Sequence, residues 1–379
     1  MNTKEIIQMM GEKDPSIRIF AARKISELRI EDPEELIEIS RYLNDSNEEI
    51  RSLLTEFFKK NIASVIVPYI VKQLEIETIP KIRANLYKAL ANSMEPKVFP
   101  VIHHGLNEPD VHVKVSVIEA LSLFPQKKID NIITPFLLSE NARIRNAAYY
   151  TLYKSGIKTI PTSLLTDYHN ITITKDKIPF LNTMGKIHEM IFIPTLKAAL
   201  TDLDIDIRMT AAKSLGEYSH TNELINFLVE RFFEEKSISV LNALTNTLYK
   251  SKNEAVEVIM HYPLEKLDSI SKANLARALG VLITPNSLNI LIKLLDDLDS
   301  RVRANTIESL GKYRDNSYLV NLILPYLRDD NHRVKAAAAS ILWKMGILNA
   351  MQTLKNMLNT TNELVQKSAA FVLSTLSIF

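Results

Sequence analysis

The sequence predicts an all-α protein, an α-solenoid or superhelix of about twelve stacked two-helix repeats, and two observations predict it. First, a short pattern recurs in phase along nearly the whole chain. Asp204-Ile205-Asp206-Ile207-Arg208 is followed by Ala211, Ala212 and Leu215, and Asp299-Ser300-Arg301-Val302-Arg303 is followed by Thr306 and Leu310. The template is Asp or Asn, two residues, a β-branched residue, a base, then mostly apolar residues three and seven positions further on. Its basic position falls at Arg18, Arg51, Arg83, Lys114, Arg145, Ile178, Arg208, Leu241, Lys272, Arg303, Lys335 and Gln366, spaced 30 to 33 residues apart. Second, the apolar residues inside a copy recur at helical spacing, as in Ile207, Ala211 and Leu215. One such helix pair cannot bury its own apolar face, so neighbouring copies stack into a continuous core.

Within a copy the elements follow in order. Pro68, Pro100, Pro161 and Pro194 lie 14 to 17 residues before the basic position. They mark the first turn of a first helix, where a missing N–H costs nothing. Pro135 and Pro325 lie 10 residues before it, inside the first helix, and predict a bend. Leu196 and Leu200 give the first helix of one copy its apolar side. Four residues before the base, Asp14, Asn47, Asp110, Asn141, Asp204, Asp268, Asp299, Asn331 and Asn362 are placed to cap the second helix. Gly216, Gly280 and Gly311 at its end suggest a chain reversal. The base is expected to pair with a turn carboxylate or amide of its own or the next copy. Arg18, Arg51, Arg83, Arg145, Arg208 and Arg303, with Asp204 and Asp299, would then form a structural ladder.

Residues 1–155 hold repeats 1–5 and residues 191–379 hold repeats 7–12 of a single solenoid spanning 1–379. Between them, 156–190 is a degenerate repeat or an irregular bend. Ile171-Thr172-Ile173-Thr174 is β-branched and alternating, and Ile178 replaces the base. An irregular turn or long loop is expected over 156–178, with a drifted repeat as the alternative.

The Asp-x-x-Val-Arg-x-x-Ala-x-x-x-Leu register resembles the short form of the HEAT repeat, as seen in the phycobilin-lyase group, over residues 14–379. Leucine-rich repeats need strands, and the Thr-Pro-Leu-His signature of ankyrin and the aromatic and glycine pattern of tetratricopeptide repeats are absent. The resemblance implies the architecture and leaves the task open, because such arrays serve many functions.

Composition narrows the function classes. The chain has 379 residues, 46% of them hydrophobic, and no cysteine, so disulfides, thiolate metal sites and cysteine nucleophiles are excluded. Eight glycines are few against a usual share of about 7%, and no phosphate-cradling motif occurs. The net charge of +2 gives no global pull toward nucleic acid or membrane. No secretory signal or membrane span is legible, so a cytoplasmic setting is expected. The histidines His103, His104, His112, His169, His188, His220, His261 and His332 form no His-x-x-x-His pair with a glutamate base. His188-Glu189 is the only His-Glu dipeptide, whereas the di-iron site of the helical-repeat deoxyhypusine hydroxylases uses several. Asp202, Asp204 and Asp206 read as turn and cap residues. No catalytic residue, metal or cofactor is therefore expected.

The second helices are expected to line a concave face. Positions one, five and eight beyond the base share one side of that helix. They give Asn146, Tyr150 and Tyr153 in repeat 5, and Asn242, Asn246 and Tyr249 in repeat 8. Repeat 11 supplies Ala336, Ser340 and Trp343, and repeat 12 supplies Lys367, Phe371 and Ser374. Aromatic and amide side chains in such a groove suit recognition of a protein partner. The leading expectation is a non-enzymatic scaffold or adaptor. The apolar end from Ala369 to Phe379 suggests self-association or docking. Residues 81–180 carry thirteen basic and eight acidic side chains with several tyrosines, so nucleic-acid binding or DNA repair is the alternative. A chaperone-like lyase subunit is a third reading, from the repeat subtype.

Overall fold

The recurring bases and caps resolve into helix pairs. A computed structural model describes residues 2–124, 129–157, 159–218, 221–313 and 317–376. Lys158, His220 and the end from Ser377 to Phe379 lie outside the described residues. Among those described there is no β-strand, and the chain divides into two units, Met1–Phe192 and Ile193–Phe379.

In the first unit the pairs are α1 (Thr3–Met9) with α2 (Pro15–Glu27), α3 (Pro33–Ser40) with α4 (Glu48–Lys60), and α5 (Val67–Ile76) with α6 (Pro80–Asn92). They continue with α7 (Phe99–His104) and α8 (Val111–Leu121), α9 (Ile129–Ile133) and α10 (Ala142–Lys154), and α11 (Ile160–Asn170) and α12 (Lys177–Ile187). In the second unit they are α13 (Ile193–Ala199) with α14 (Ile205–Leu215), α15 (Asn222–Glu234) with α16 (Ile238–Leu248), and α17 (Lys252–Met260) with α18 (Ser269–Leu279). The series closes with α19 (Pro285–Leu294) and α20 (Ser300–Leu310), α21 (Ser317–Ile323) and α22 (His332–Lys344), and α23 (Ala350–Leu358) and α24 (Glu363–Leu376). Each unit is thus an α-solenoid stack of two-helix repeats.

Even-numbered helices carry the register and pack on one another, as α4 does on α2 and α6. Their apolar stripes are fully buried, for example Ile50 and Leu54 on α4 and Ile207, Ala211 and Leu215 on α14. Leu196 and Leu200 are buried against them. Pro68, Pro100, Pro161 and Pro194 are each the second residue of a first helix. At Pro135 and Pro325 the α-helix gives way to a 3-10 turn, Thr134–Leu138 and Leu324–Arg328, because proline removes a helical donor.

Two local expectations need revision. The stretch 156–178 is not one long loop. It contains α11, a short extended link and a 3-10 turn, Thr174–Asp176, before α12. Apolar packing of Ile160, Leu164 and Phe180, all buried, builds helices on either side, while the β-branched run stays in the link between them. Gly216 and Gly280 end their helices without a left-handed cap, since both keep right-handed helical φ, −63° and −72°. Gly311 behaves alike. Their use is close approach. A Cβ on Gly280 would lie 2.5 Å from Ser309 Oγ, and one on Gly216 would lie 2.9 Å from Thr247 Oγ1, both on the next second helix.

All nine cap residues of the register accept hydrogen bonds from first-turn N–H groups, as Asn47 does from Glu49 and Ile50. The bases do something else. Arg208 Nη1 donates to the carbonyls of Asp202 and Leu203, at 2.8 and 3.0 Å, in its own turn. Its Nε and Nη2 donate to both oxygens of Glu235 in the next repeat's turn, at 2.8 and 3.0 Å. Arg18 grips Asp45, Arg51 grips Glu77, and Arg303 grips Asp329 in the same forked manner. Arg83 pairs with Glu108, and Lys272 reaches Asp297 at 2.9 Å with its single ammonium. The acid lies two residues before the cap and also accepts from the cap's own N–H, as Asp45 does from Asn47. Asp204 and Asp299 therefore cap helices, and the acids just before the caps are the rungs.

These carboxylates are held strongly. Burial raises the pKa of Glu235, but donors from Arg208 and the Ser237 and Lys236 N–H groups outweigh it and hold the carboxyl below its ordinary 4.5. Glu77 is lowered in the same way by Arg51, the Ile79 N–H and Gln73. A depressed folded pKa contributes stability above the ordinary value that is lost as pH falls through the folded one. Glu235→Gln is accordingly expected to cost about 1–3 kcal/mol at pH 7. The gap to wild type should narrow below pH 4.5, which urea midpoints across pH will show. Gly280→Ala, despite alanine's helix propensity, is expected to cost about 1–3 kcal/mol by overpacking against Ser309, read as a lowered thermal midpoint.

Candidate functional site

The ladder consumes most of the register bases. Positions one, five and eight beyond each base run along one side of the same helix at steps of four and three. On α10, Asn146 is only 4% exposed. Its Nδ2 donates to Ala142 O at 2.7 Å, and its Oδ1 has no hydrogen-bond partner among the described residues. It is a core group of α10, which packs between α8 and α12. Tyr150 is half-buried between two cations, with Lys186 Nζ 5.2 Å and Lys154 Nζ 5.7 Å from its ring centre. Lys186 also pairs with Glu119 at 2.8 Å. Tyr153 donates to Glu189 Oε1 at 2.8 Å, and that hydrogen bond, with partial burial, raises its phenol pKa.

On α16, Asn242 and Asn246 are exposed, and Tyr249 just beyond the helix is 51% exposed. Lys252 Nζ lies 5.5 Å from the Tyr249 ring centre. On α22, Ala336 and Ser340 are buried under α24, and Trp343 is half-buried. On α24, Lys367 and Ser374 are exposed, and Phe371 is 72% exposed. Ala369, Val372 and Leu373 of α24 instead pack against Leu354 and Met357 of α23. The expected row therefore splits into a buried part (Asn146, Ala336, Ser340), a half-buried part and an open part.

The open part borders a groove in the second unit. Here α16 and α18 barely touch, whereas α14 packs along α16 and α18 along α20. The groove encloses about 200 Å³. Leu241, Asn242 and Thr245 line it from α16, and Asn274, Arg277 and Ala278 from α18. Glu308 and Lys312 stand at its end over a floor that includes Phe232. Arg277, Glu308 and Lys312 are exposed. Sequence reasoning missed this feature, yet its signal is in the register. Leu241 stands where the ladder needs a base, and Lys266 where it needs the acid six residues before the next base, Lys272. Tyr249 occupies the position that Gly216, Gly280 and Gly311 hold in their repeats.

Among the described residues no group of three or more His, Asp or Glu side chains could hold a metal ion. No helix among them is long and apolar enough to cross a membrane. In the basic stretch 81–180, Arg83, Lys88, Lys97 and Arg145 are paired with Glu108, Glu119, Glu95 and Asp167.

No family model matches the chain, and no curated protein matches it significantly. Solved structures do. Karyopherin Kap121p bound to Ste12p and Kap121p bound to Pho4p each align with 97% of this chain and 48% of their own. Both have 14% identity and a TM-score of 0.50. The chain thus spans about half the length of the karyopherins it matches. The complex of CpcE and CpcF of phycocyanin lyase from Nostoc sp. aligns over 65% of this chain and 94% of that one, at 16% identity and a TM-score of 0.42, too loose a superposition to bear on function. The likeness bears on fold: the chain shares the helical-repeat solenoid fold of these structures.

The burial split has a measurable consequence. Alanine at Asn246, Tyr249 or Phe371 is expected to change stability by less than about 0.5 kcal/mol. Tyr149→Phe, which removes a 2.9 Å hydrogen bond from a buried phenol to the half-buried Asp167 carboxylate, is expected to cost about 1 kcal/mol. Urea midpoints of the four variants separate the two classes.

Proposed function

We propose that this chain is a non-enzymatic scaffold that binds a protein partner along the exposed side of its second helices. One observation carries the reading. Bases and caps are spent on joining repeats, while amide and aromatic groups on the second helices, Asn242, Asn246, Tyr249, Tyr150 and Trp343, remain at least partly exposed. Amides can donate and accept toward a polypeptide backbone, and tyrosine and tryptophan supply contact area at small entropic cost. Structures of the same fold give support, since Kap121p is seen bound to Ste12p and to Pho4p. A cytoplasmic setting belongs to this reading.

Affinity capture from the native cell tests it, with wild type beside Tyr150→Ala/Trp343→Ala and Asn246→Ala/Tyr249→Ala. The expected result is a specific co-purifying protein whose recovery falls at least ~10-fold in one or both variants, a loss of about 1.4 kcal/mol or more. Circular dichroism should show an unchanged fold. Identical recoveries from all three proteins refute the reading.

A further inference from the structure

We propose that the groove between α16 and α18 receives an extended, acidic segment of a protein partner. The inference rests on the scaffold reading and narrows it to one place and one ligand chemistry.

The opening coincides with three departures from the repeat, Leu241, Lys266 and Tyr249. Without a base and an acid, no forked pair ties the turn of this repeat to the next. Without glycine at the end of α16, the close approach made at Gly280 and Ser309 is unavailable. Both changes act on the same helix pair, and that pair is the most loosely packed of the consecutive second helices in the second unit.

The size and lining select the occupant. The opening is small, about 200 Å³, and carries an amide on each wall, which suits the backbone of a single extended strand. Leu241 and Ala278 offer an apolar floor for one or two side chains. Asn242 and Asn274 on facing walls can each donate to a backbone carbonyl and accept from a backbone N–H. Arg277 and Lys312 are exposed and have no ion-pair partner among the described residues, against one acid, Glu308. An arginine fork left open in this way favours a carboxylate, which it can take in two hydrogen bonds.

The test uses the full chain, immobilised, and a library of ten-residue peptides drawn from Ser, Val, Leu, Glu and Lys. The expected result is at least ~10-fold enrichment of Glu over Lys at two or more positions. In Arg277→Glu/Lys312→Glu the preference should vanish or invert. In Leu241→Arg/Lys266→Glu/Tyr249→Gly, which restores the ladder pair and the glycine, peptide retention should fall ~10-fold while the thermal midpoint rises. Lys344→Glu, on α22 away from the groove, should leave selection unchanged. No enrichment of Glu, or enrichment that survives both groove variants, overturns the proposal. If selection fails while partner capture still depends on Tyr150, Trp343, Asn246 or Tyr249, the groove assignment falls and the scaffold reading stands.

Discussion

At Arg18, Arg51, Arg83, Arg208 and Arg303 a repeat is held to the next by one guanidinium that serves two turns at once. The apolar stripes of second helices fix how closely neighbouring pairs approach, but burial is non-directional and leaves sliding and rotation weakly defined. A planar fork with five donors is directional. Nη1 holds the carbonyls of its own turn while Nε and Nη2 hold both carboxylate oxygens of the next, as at Arg18, Arg51, Arg208 and Arg303. The same acid then closes the cap of its own second helix, so one residue links register, turn and helix start. Exposed ion pairs contribute little, but these are shielded: the side chains of Arg51 and Glu77 are 15% and 1% exposed.

That division of labour separates stability from recognition. A guanidinium engaged by two carbonyls and both oxygens of a carboxylate has four of its five donors occupied, so the row of register arginines is poorly placed to double as a binding stripe. Variation is then tolerated one, five and eight positions further on, where the repeats differ most in chemistry: Asn242, Asn246 and Tyr249 in one copy, Ala336, Ser340 and Trp343 in another. A solenoid tolerates this because each repeat answers only to its neighbours.

Much of the architecture was legible because it rests on local, periodic chemistry. The helix pairs, the caps and the proline positions follow from residues whose roles are decided within one turn. What escaped the sequence was decided between repeats. The rung acids sit two residues before the caps, so a search limited to the cap position found Asp204 and Asp299 and passed over Glu77, Glu235 and Asp297. Asn146 looked like a groove residue by its helical position, yet packing against the next helix buries it. The β-branched run Ile171-Thr172-Ile173-Thr174 is read correctly as non-helical over a few residues, while the apolar side chains on either side still build a repeat.

Loss of a rung does not act everywhere alike. Lys114 meets Ser139 at the rung position of the next repeat, with no acid there, and yet α8 and α10 pack along one another. At Leu241 and Lys266 the second helices part. The difference lies in what else occupies the joint. Thr151 on α10 donates to Ile118 O on α8 at 2.9 Å, a buried cross-helix bond that Thr247 on α16 repeats toward Ala212 on α14 at 2.8 Å. The position six beyond the base that supplies this donor is Ala278 on α18, which has none to offer, so α16 and α18 lack the rung, the glycine contact and the cross-helix bond together. The same three ties are absent between α22 and α24, where Thr360, Trp343 and Val372 stand at those positions, yet these helices pack around Ala336, Ala339 and Ala369, so absent ties permit a joint to open and apolar packing decides whether it does.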